Sequence, residues 1–489
     1  MRIAAPNRRS DHSPRSSRGG AGNGPAIDRL STLDRFMRGV SATWPQDIGA
    51  LAILDGPTLF DADGRFRLDA VRAVIDRRLH VAPRFRQIVV EPRRGLGGPY
   101  WADASRVDLS DHVRELHLEP PFEDDRLTAA VEELVARRLD LSRPLWEMWF
   151  LTGLPHRRVG LFVKIHHSVA DGMAAMATVM TFLDRTPESP PAAPASWTPA
   201  PGPSNRQLLL DNLVRRARGL TSALSPLTAP RATVRRARAA WPAIRELLAE
   251  PPATRTSLDR IVGDGRRVAL IGGSLGAVRM LGRTHDATVN DVLLAVTAGG
   301  LRKLLEARGE PVRGTFRIYV PVSLRRRFRG PQQGNRIAQM AVPLDLGEAD
   351  PERRLRRIAG ETTIRKARAR TSLGNLMVGG RLGRQLILAA VMRQRVNATS
   401  ASIPGPTRSL YLAGARLLEV YPVLPLVANE PLGIGALSYA GTLSIGVTAD
   451  RDAFPDFDVF VDGVRDEFRR LASSALEAET RRSVTIDRR

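Results

Sequence analysis

Two adjacent histidines, His166 and His167, stand at the centre of the stretch VGLFVKIHHSVADGMAAMATVMTFL (159–183). The residues before them form an apolar run typical of a β-strand, and the residues after Asp171 and Gly172 form an apolar run typical of a helix. Imidazole is the side chain that exchanges a proton near neutral pH. The pair therefore indicates acid–base chemistry at the end of a strand.

Strand geometry predicts that the two imidazoles diverge, because successive side chains of a strand point to opposite faces. If the extended run continues, one face carries Val159, Leu161, Val163, Ile165 and His167. Joint chelation of one metal ion by His166 and His167 is then disfavoured, and the sequence holds no H-E-x-x-H pattern. We expect no metal site, with one imidazole facing a cavity and the other packed behind it.

Asp171 also has a purely structural interpretation. It precedes a run whose helical face is traced by Met173, Met176, Ala177 and Met180. An aspartate in this position accepts hydrogen bonds from the free N–H groups of the first helical turn. A second interpretation adds a buried ion pair that holds the loop in shape, and the two are compatible.

A rival active centre lies in RVALIGGSLGAVRM (267–280), where Gly272, Ser274 and Gly276 satisfy the G-x-S-x-G nucleophile elbow of lipid hydrolases. That mechanism requires an acid and then a histidine after the serine. The only later histidine is His285, with no acidic residue between. A hydrolase is therefore disfavoured. The stretch also departs from the G-x-G-x-x-G dinucleotide pattern, and the chain has no Walker-type phosphate loop.

The composition limits the classes of partner. The 489 residues carry a net charge of +23 and include no cysteine, and nearly all of the basic residues are arginine. Such a field attracts phosphates, whether of nucleic acid, anionic lipid head groups or a phosphorylated cofactor. Aromatic residues make up only 5% and do not alternate with basic ones, which disfavours specific nucleic-acid binding. No apolar run reaches the roughly 18 residues that a membrane span needs.

The first half of the chain divides into a tail and an α/β lobe. Residues 1–27 are rich in arginine, serine, glycine and proline without an apolar signal segment, and we expect a disordered basic tail. Residues 28–185 alternate strand patterns with helical patterns such as RLTAAVEELVARRL (126–139) and predict the N-terminal lobe.

The second half begins with a connector. Residues 186–258 combine the proline-rich run 186–204 with basic helical segments, which are either a solvated face or a surface for membrane or nucleic acid. Residues 259–480 predict the C-terminal lobe, with strands FRIYVPVS and MAVPLDL and a closing helix FDVFVDGVRDEFRRLASSAL. Residues 481–489 are expected to form a short tail.

The motif H-H-x-x-x-D-G resembles that of acyltransferases with the chloramphenicol-acetyltransferase-like fold, specifically the bacterial wax ester synthase/diacylglycerol acyltransferase family. The resemblance extends from about Leu30 to Leu471. Further segments similar to the family are RPLWEMWFLTGL (143–154), TVNDVLLAVTAGGLR (288–302), PVSLRRR (321–327), GNRIAQM (334–340), SIPGPTRSLYLAGARLLEVYP (402–422) and SYAGTLSIGVTADRDAFPD (438–456).

The resemblance implies an α/β fold of two lobes that meet along a channel, with acyl thioester entering one mouth and the acceptor alcohol the other. The second histidine of the motif is the base, so His167 takes the proton from the acceptor hydroxyl, a role worth about 10²–10⁴ in rate. No acyl-enzyme is needed. Asp171 is structural in this family and bonds to an arginine, for which Arg325 is the candidate.

Other residues enter as motif positions of the family. Structural support is assigned to Pro144, Leu145, Trp146, Asn290 and Asp291. The usual S-N-V-P-G-P segment is here SASIPGP, so Ser402 stands where asparagine is common and becomes the candidate donor to the oxyanion. The usual start L-S-P-x-D is here LSTLD, and the following P-M-H is PQD (45–47).

The function that the resemblance implies is transfer of a long-chain fatty acyl group from acyl-CoA to diacylglycerol, with fatty alcohols as further acceptors that give wax esters. Acyl-CoA is a co-substrate, and no bound cofactor is expected. The location is cytoplasmic or peripheral to the inner membrane face or lipid inclusions. The alternatives are a relative with another hydroxyl or amine acceptor or a carrier-protein donor, and a non-catalytic protein that binds lipid inclusions.

Overall fold

The computed structural model describes residues 27–120, 125–188, 197–228, 253–323, 337–376 and 396–486, with scattered positions between 231 and 245. The predicted N-terminal tail up to residue 26, Arg325 and residues 487–489 lie outside the described residues. The strands are β1 (Asp47–Asp55), β2 (Gln87–Val90), β3 (Tyr100–Asp103), β4 (Val113–His117), β5 (Trp146–Thr152), β6 (Arg158–His166), β7 (Arg266–Ser274), β8 (Thr315–Ser323), β9 (Ile337–Asp345), β10 (Ala398–Pro404), β11 (Tyr411–Leu412), β12 (Ala415–Val423), β13 (Leu432–Tyr439) and β14 (Thr442–Asp450).

The helices surround these strands. They are α1 (Thr32–Val40), α2 (Leu68–Asp76), α3 (Leu109–His112), α4 (Arg126–Ala136), α5 (Gly172–Met180), α6 (Asn205–Thr228), α7 (Leu275–Thr284), α8 (Val289–Ala307), α9 (Pro351–Leu376) and α10 (Phe457–Ile486). Strands β8 and β9 coincide with the two predicted strands of the second half. The closing helix α10 continues to Ile486, and so it extends into the range predicted as a tail.

The first lobe is built on a sheet with the strand order β11–β12–β1–β6–β5–β4. Its central strand β6 is buried from Val159 to His166 because both faces are covered. Val159, Leu161, Val163 and Ile165 pack into one core cluster, whereas Phe162 packs into a second cluster on the opposite face. The alternation predicted from the sequence is confirmed.

The second lobe is built on a sheet with the order β7–β14–β13–β10–β8–β9. One face of this sheet is covered by α7, α8, α9 and α10, and their apolar side chains form one continuous core. Helices α8 and α10 approach so closely that a Cβ on Gly463 would lie 2.8 Å from the Cα of Gly300. Glycine at both positions permits this contact.

The lobes are joined by a strand that crosses between them. Strand β12 lies within the range predicted for the C-terminal lobe, yet it pairs with β1 of the first sheet, from Gly49 opposite Val423 to Asp55 opposite Arg416. The same strand packs on the other face of the second sheet. There, a Cβ on Gly435 would lie 2.7 Å from Pro422, and one on Gly446 would lie 1.9 Å from the carbonyl oxygen of Pro422.

We therefore expect Gly446→Ala to destabilise the protein. The added methyl group collides with backbone, which cannot rotate away, and overpacking of this kind costs about 3 kcal/mol of the free energy of unfolding. Denaturant unfolding followed by circular dichroism measures this loss. The matched control is Gly360→Ala on the exposed side of α9, where an added Cβ meets nothing within 4 Å. Alanine there gains about 0.5–1 kcal/mol of helix stability, and equal effects of the two changes would contradict the packing argument.

Candidate active site

The two histidines sit where β6 leaves the first sheet. Backbone pairing holds both, because the N–H of His166 donates to the carbonyl of Leu145 at 3.0 Å and the N–H of His167 donates to that of Gln46 at 2.8 Å. The pairing continues the strand geometry up to His167, so the two side chains leave the backbone in different directions. His166 is 1% exposed, whereas His167 is partly exposed.

His166 is a fixed, neutral support. Its Nδ1 accepts a hydrogen bond from the N–H of Ser168 at 3.0 Å, which leaves Nε2 to donate to Oγ of Ser41 at 3.0 Å. Burial lowers the pKa of His166 to about 4, with further lowering by His167 and Arg38. The ring therefore carries no charge at neutral pH and clamps the strand end to the residue after α1.

His167 has a different electrostatic environment. Burial lowers its pKa below the usual 6.5, and the carboxylates of Asp171 and Asp34 act in the opposite direction. A lowered pKa means that the imidazole is neutral at pH 7, the protonation state in which it acts as a base. The nearby carboxylates favour the imidazolium that forms when it does so.

Helix α1 carries opposite charges to the two rings. Asp34 and Arg38 are four residues apart and so lie on one face of the helix. Asp34 raises the pKa of His167, whereas Arg38 lowers that of His166. The carboxylate of Asp34 is fixed by a capping box, since it accepts from the N–H of Ser31 while the hydroxyl of Ser31 accepts from the N–H of Asp34.

Sequence reasoning missed this role of α1. The available signal was the spacing S-x-x-D in LSTLD, which marks the start of a helix. That signal predicts the capping box, but it does not predict that the helix lies against the histidines.

Asp171 caps α5 as predicted. Its carboxylate accepts from the N–H of Ala174 at 2.9 Å, and the residue is 2% exposed. Ala174 and Ala175 are buried and Met176 and Met180 pack against the same core, so this helix face is packing surface. A Cβ on Gly172 would lie 3.7 Å from Ile403 of β10. The loop that follows the histidines therefore contacts the second lobe.

The P-L-W segment supports the strand end from the other side. Three residues at the start of β5 are buried, namely Pro144, Leu145 and Trp146. The carbonyl of Leu145 accepts the hydrogen bond from the N–H of His166. The indole of Trp146 donates to the carbonyl of Phe85 at 2.9 Å and stacks on the ring of His112. This packing fixes the register of β5 against β6.

Asn290 and Asp291 lie in the first turn of α8, on the helix-covered face of the second sheet. Asp291 is buried and accepts from Thr288 at 2.8 Å and from the hydroxyl of Thr362 at 2.6 Å. It also lies 3.6 Å from the ammonium of Lys366. Asp291 therefore joins α8 to α9. Asn290 is partly exposed.

The oxyanion role of Ser402 stays a prediction, and the structure gives the direction in which the residue faces. Ser402 pairs with Ala436, whose side chain belongs to the second-lobe core, whereas Ile403 pairs with Leu437, which packs with the first lobe. Alternation along β10 therefore turns Ser402 away from Gly172 and turns Ile403 toward it. The sequence match alone could not reveal whether Ser402 or Ile403 faces the loop.

The G-x-S-x-G stretch spans the end of β7 and the start of α7. The hydroxyl of Ser274 accepts from the N–H of Ala277 as a helix cap, and His285 lies at the other end of the same helix. A helix of this length separates the two by about 15 Å. Within the described ranges, no group of three or more histidines and acidic residues is arranged to hold a metal ion.

These features define a class of protein. The mixed α/β fold of two lobes matches the chloramphenicol-acetyltransferase-like fold. The sequence model of the wax ester synthase/diacylglycerol acyltransferase catalytic domain matches residues 30–293, and that of the family's C-terminal domain matches residues 333–472. The chain belongs to this family of acyl-transferring enzymes, and the predicted resemblance is confirmed.

Known proteins agree with this assignment. A probable diacylglycerol O-acyltransferase of Mycobacterium tuberculosis is 31% identical over 462 residues, covering 91% of this chain and 96% of the relative. The wax ester synthase/diacylglycerol acyltransferase of Marinobacter aquaeolei has a similar fold, with a TM-score of 0.65, 22% identity and coverage of 91% and 99%. A starter condensation domain of rhizomide synthetase in complex with C8-CoA gives a TM-score of 0.58, 16% identity and coverage of 92% and 95%.

We expect Asp171→Ala to lower the free energy of unfolding by about 1–2 kcal/mol, because it removes the cap of α5. Thermal and denaturant melting measure the loss. Asp125→Ala is the matched control, since Asp125 occupies the same position before α4 but makes no capping hydrogen bond. If Asp125→Ala proved as costly as Asp171→Ala, the capping interaction would not be the cause.

Proposed function

We propose that the chain transfers a long-chain fatty acyl group from acyl-CoA to the hydroxyl of diacylglycerol, with fatty alcohols as further acceptors. The family and the names of the relatives support this substrate pair, and C8-CoA in a structural neighbour supports the donor. The observation that carries the proposal is the environment of His167, a partly exposed residue whose ring is kept neutral by burial and favoured by two carboxylates once it is charged.

The proposed reaction is a direct transfer. The lone pair of His167 accepts the hydroxyl proton while the acceptor oxygen attacks the thioester carbonyl, giving a tetrahedral intermediate and an imidazolium ion. The carbon–sulfur bond then breaks, and the coenzyme A thiolate takes the proton back from His167. Atoms and charge balance without an acyl-enzyme. Asp34 and Asp171 stabilise the charged ring between the two steps.

The access route stays a prediction. The family relationship supports a channel between the lobes with one mouth for acyl-CoA and another for the acceptor, and the many arginines suit the phosphates of coenzyme A. Among the described residues, no helix combines the length and the apolar character needed to cross a bilayer. The location we propose from the family relationship is the cytoplasm, including the inner membrane face and lipid inclusions.

Replacement of the base tests the proposal most directly. We expect His167→Ala to lower kcat by about 10²–10⁴, because proton transfer in the transition state is lost. Purified protein, acyl-CoA and diacylglycerol, with release of free thiol as readout, measure this change. The control is His80→Ala, since His80 is exposed on the first lobe. Full turnover by a folded His167→Ala variant would assign the base to another residue, and an inactive wild type would favour the non-catalytic lipid-binding alternative.

The charge on α1 gives a pH test. The base works only when neutral, so kcat/KM falls as the pH drops through the pKa of His167. Asp34 raises that pKa, so Asp34→Asn lowers it further and moves the low-pH limb of the profile to lower pH. The plateau rate also falls, because a weaker base accepts the proton less readily. Asp69→Asn on α2, where the carboxylate is 94% exposed, should leave the profile unchanged. A shift to higher pH in Asp34→Asn would contradict this role.

A further inference from the structure

Helix α6 is attached to the first lobe through polar contacts. Asp211 accepts from the guanidinium of Arg29 at 2.8 Å, and Asn212 donates to the carbonyl of Gly95 at 2.7 Å. Arg215 bonds to Asp211 at 2.9 Å on the same side of the helix. Leu208 is the buried apolar residue on this side, at 3% exposure. The contact side therefore consists largely of charged and amide groups.

The opposite side of α6 is apolar and faces solvent. Its residues lie between 44% and 66% exposed, and they are Leu209, Leu210, Leu213, Val214 and Leu220. At 100° per residue these positions fall on one side of the helix, roughly opposite Leu208, Asp211 and Arg215. We name this surface the leucine face. Its orientation is the reverse of an ordinary surface helix, which buries its apolar side against the core.

An exposed apolar face of this kind indicates a partner that is itself apolar. The charges around the leucine face indicate that the partner is also anionic. Arg206 and Arg216 are exposed and stand three or four residues from leucines of the face. Arg206 lies at its N-terminal end, and Arg216 lies along one side. Between positions 205 and 220 the only acidic residue is Asp211, and it points to the lobe. An apolar strip bordered by arginines matches an anionic lipid surface, with acyl chains below and phosphates at the rim.

We propose that α6 is the element by which the enzyme docks on an anionic membrane surface, with the leucine face inserted at the boundary between head groups and acyl chains. The proposal deepens the proposed function, since a bilayer is the phase that holds a water-insoluble acceptor. The place where α6 is attached supports the proposal. Arg29, which donates to Asp211 of α6, lies only three residues before the start of α1. Helix α1 in turn carries Asp34 to His167.

Vesicle co-sedimentation of the full chain tests the proposal. We expect wild-type protein to bind vesicles that contain phosphatidylglycerol, to bind weakly to pure phosphatidylcholine, and to be released as salt is raised to about 0.5 M. The triple change Leu209→Ser, Leu210→Ser and Leu213→Ser should lower the partition coefficient at least about tenfold. Arg206→Gln with Arg216→Gln should remove much of the salt dependence while leaving the residual binding.

The matched control changes three exposed apolar side chains on other elements, Leu141→Ser, Ile261→Ser and Ile364→Ser, which are 40%, 76% and 48% exposed. It should bind as wild type, and circular dichroism should show both triple variants folded. Wild-type binding by the leucine-face variant would overturn the proposal. So would a wild-type dimer that this variant dissociates without any vesicle binding, because the face would then be an interface between copies.

Turnover separates this proposal from the catalytic one. The leucine-face variant should keep its activity on detergent-dispersed diacylglycerol and lose it on vesicle-borne diacylglycerol. His167→Ala should bind vesicles as wild type while turning over neither. Loss of vesicle binding in His167→Ala would contradict the assignment of docking to α6, whereas an inactive enzyme that still docks would count only against the proposed reaction.

Discussion

The active-site geometry depends on one backbone interaction, the pairing of β6 with β1 up to its final hydrogen bond from His167 to Gln46. Because the ladder keeps its register to the last residue, two neighbouring imidazoles are sent to different environments. One is clamped between two serines and stays neutral, and the other reaches a partly exposed position. Two side chains of helix α1 then act on the rings in opposite directions, since Asp34 raises the pKa of His167 and Arg38 lowers that of His166. A single motif therefore supplies both a rigid support and a titrating group.

The two lobes pack closely because glycines, which have no side chain, line the contact between them. Gly433, Gly435 and Gly446 line the face of the second sheet on which β12 and its continuation pack. Pro422 approaches Gly435 and Gly446, and Leu424 approaches Gly433. Such close approach is open to glycine alone. The other face of the same sheet carries larger residues, including Ile434 and Val447, that pack under the helices. The alternation of glycine with larger residues in LGIGALSY therefore lets one face of β13 pack against β12 and the other face pack under the helices.

Local features of this fold were predictable from the sequence, and non-local ones were not. The alternation in β6, the cap at Asp171 and the strands β8 and β9 depend on neighbouring residues, and the structure agrees with each. The pairing of β12 with β1 and the position of α1 against the histidines depend on contacts between distant segments, which no periodicity encodes. Ser402 shows the intermediate case, in which the strand is evident but its facing is set by β13.

The crossing of β12 has a consequence for synthesis of the protein. During translation β1 emerges early, but its partner on one side, β12, emerges only near the end of the chain. Until then β1 is an unprotected sheet edge with the apolar residues Leu51 and Ile53, which invites pairing with other chains. The first lobe can complete its sheet only after nearly the whole polypeptide has left the ribosome. Its maturation is therefore governed by a late, long-range closure, and the nascent chain needs shielding from aggregation in the meantime.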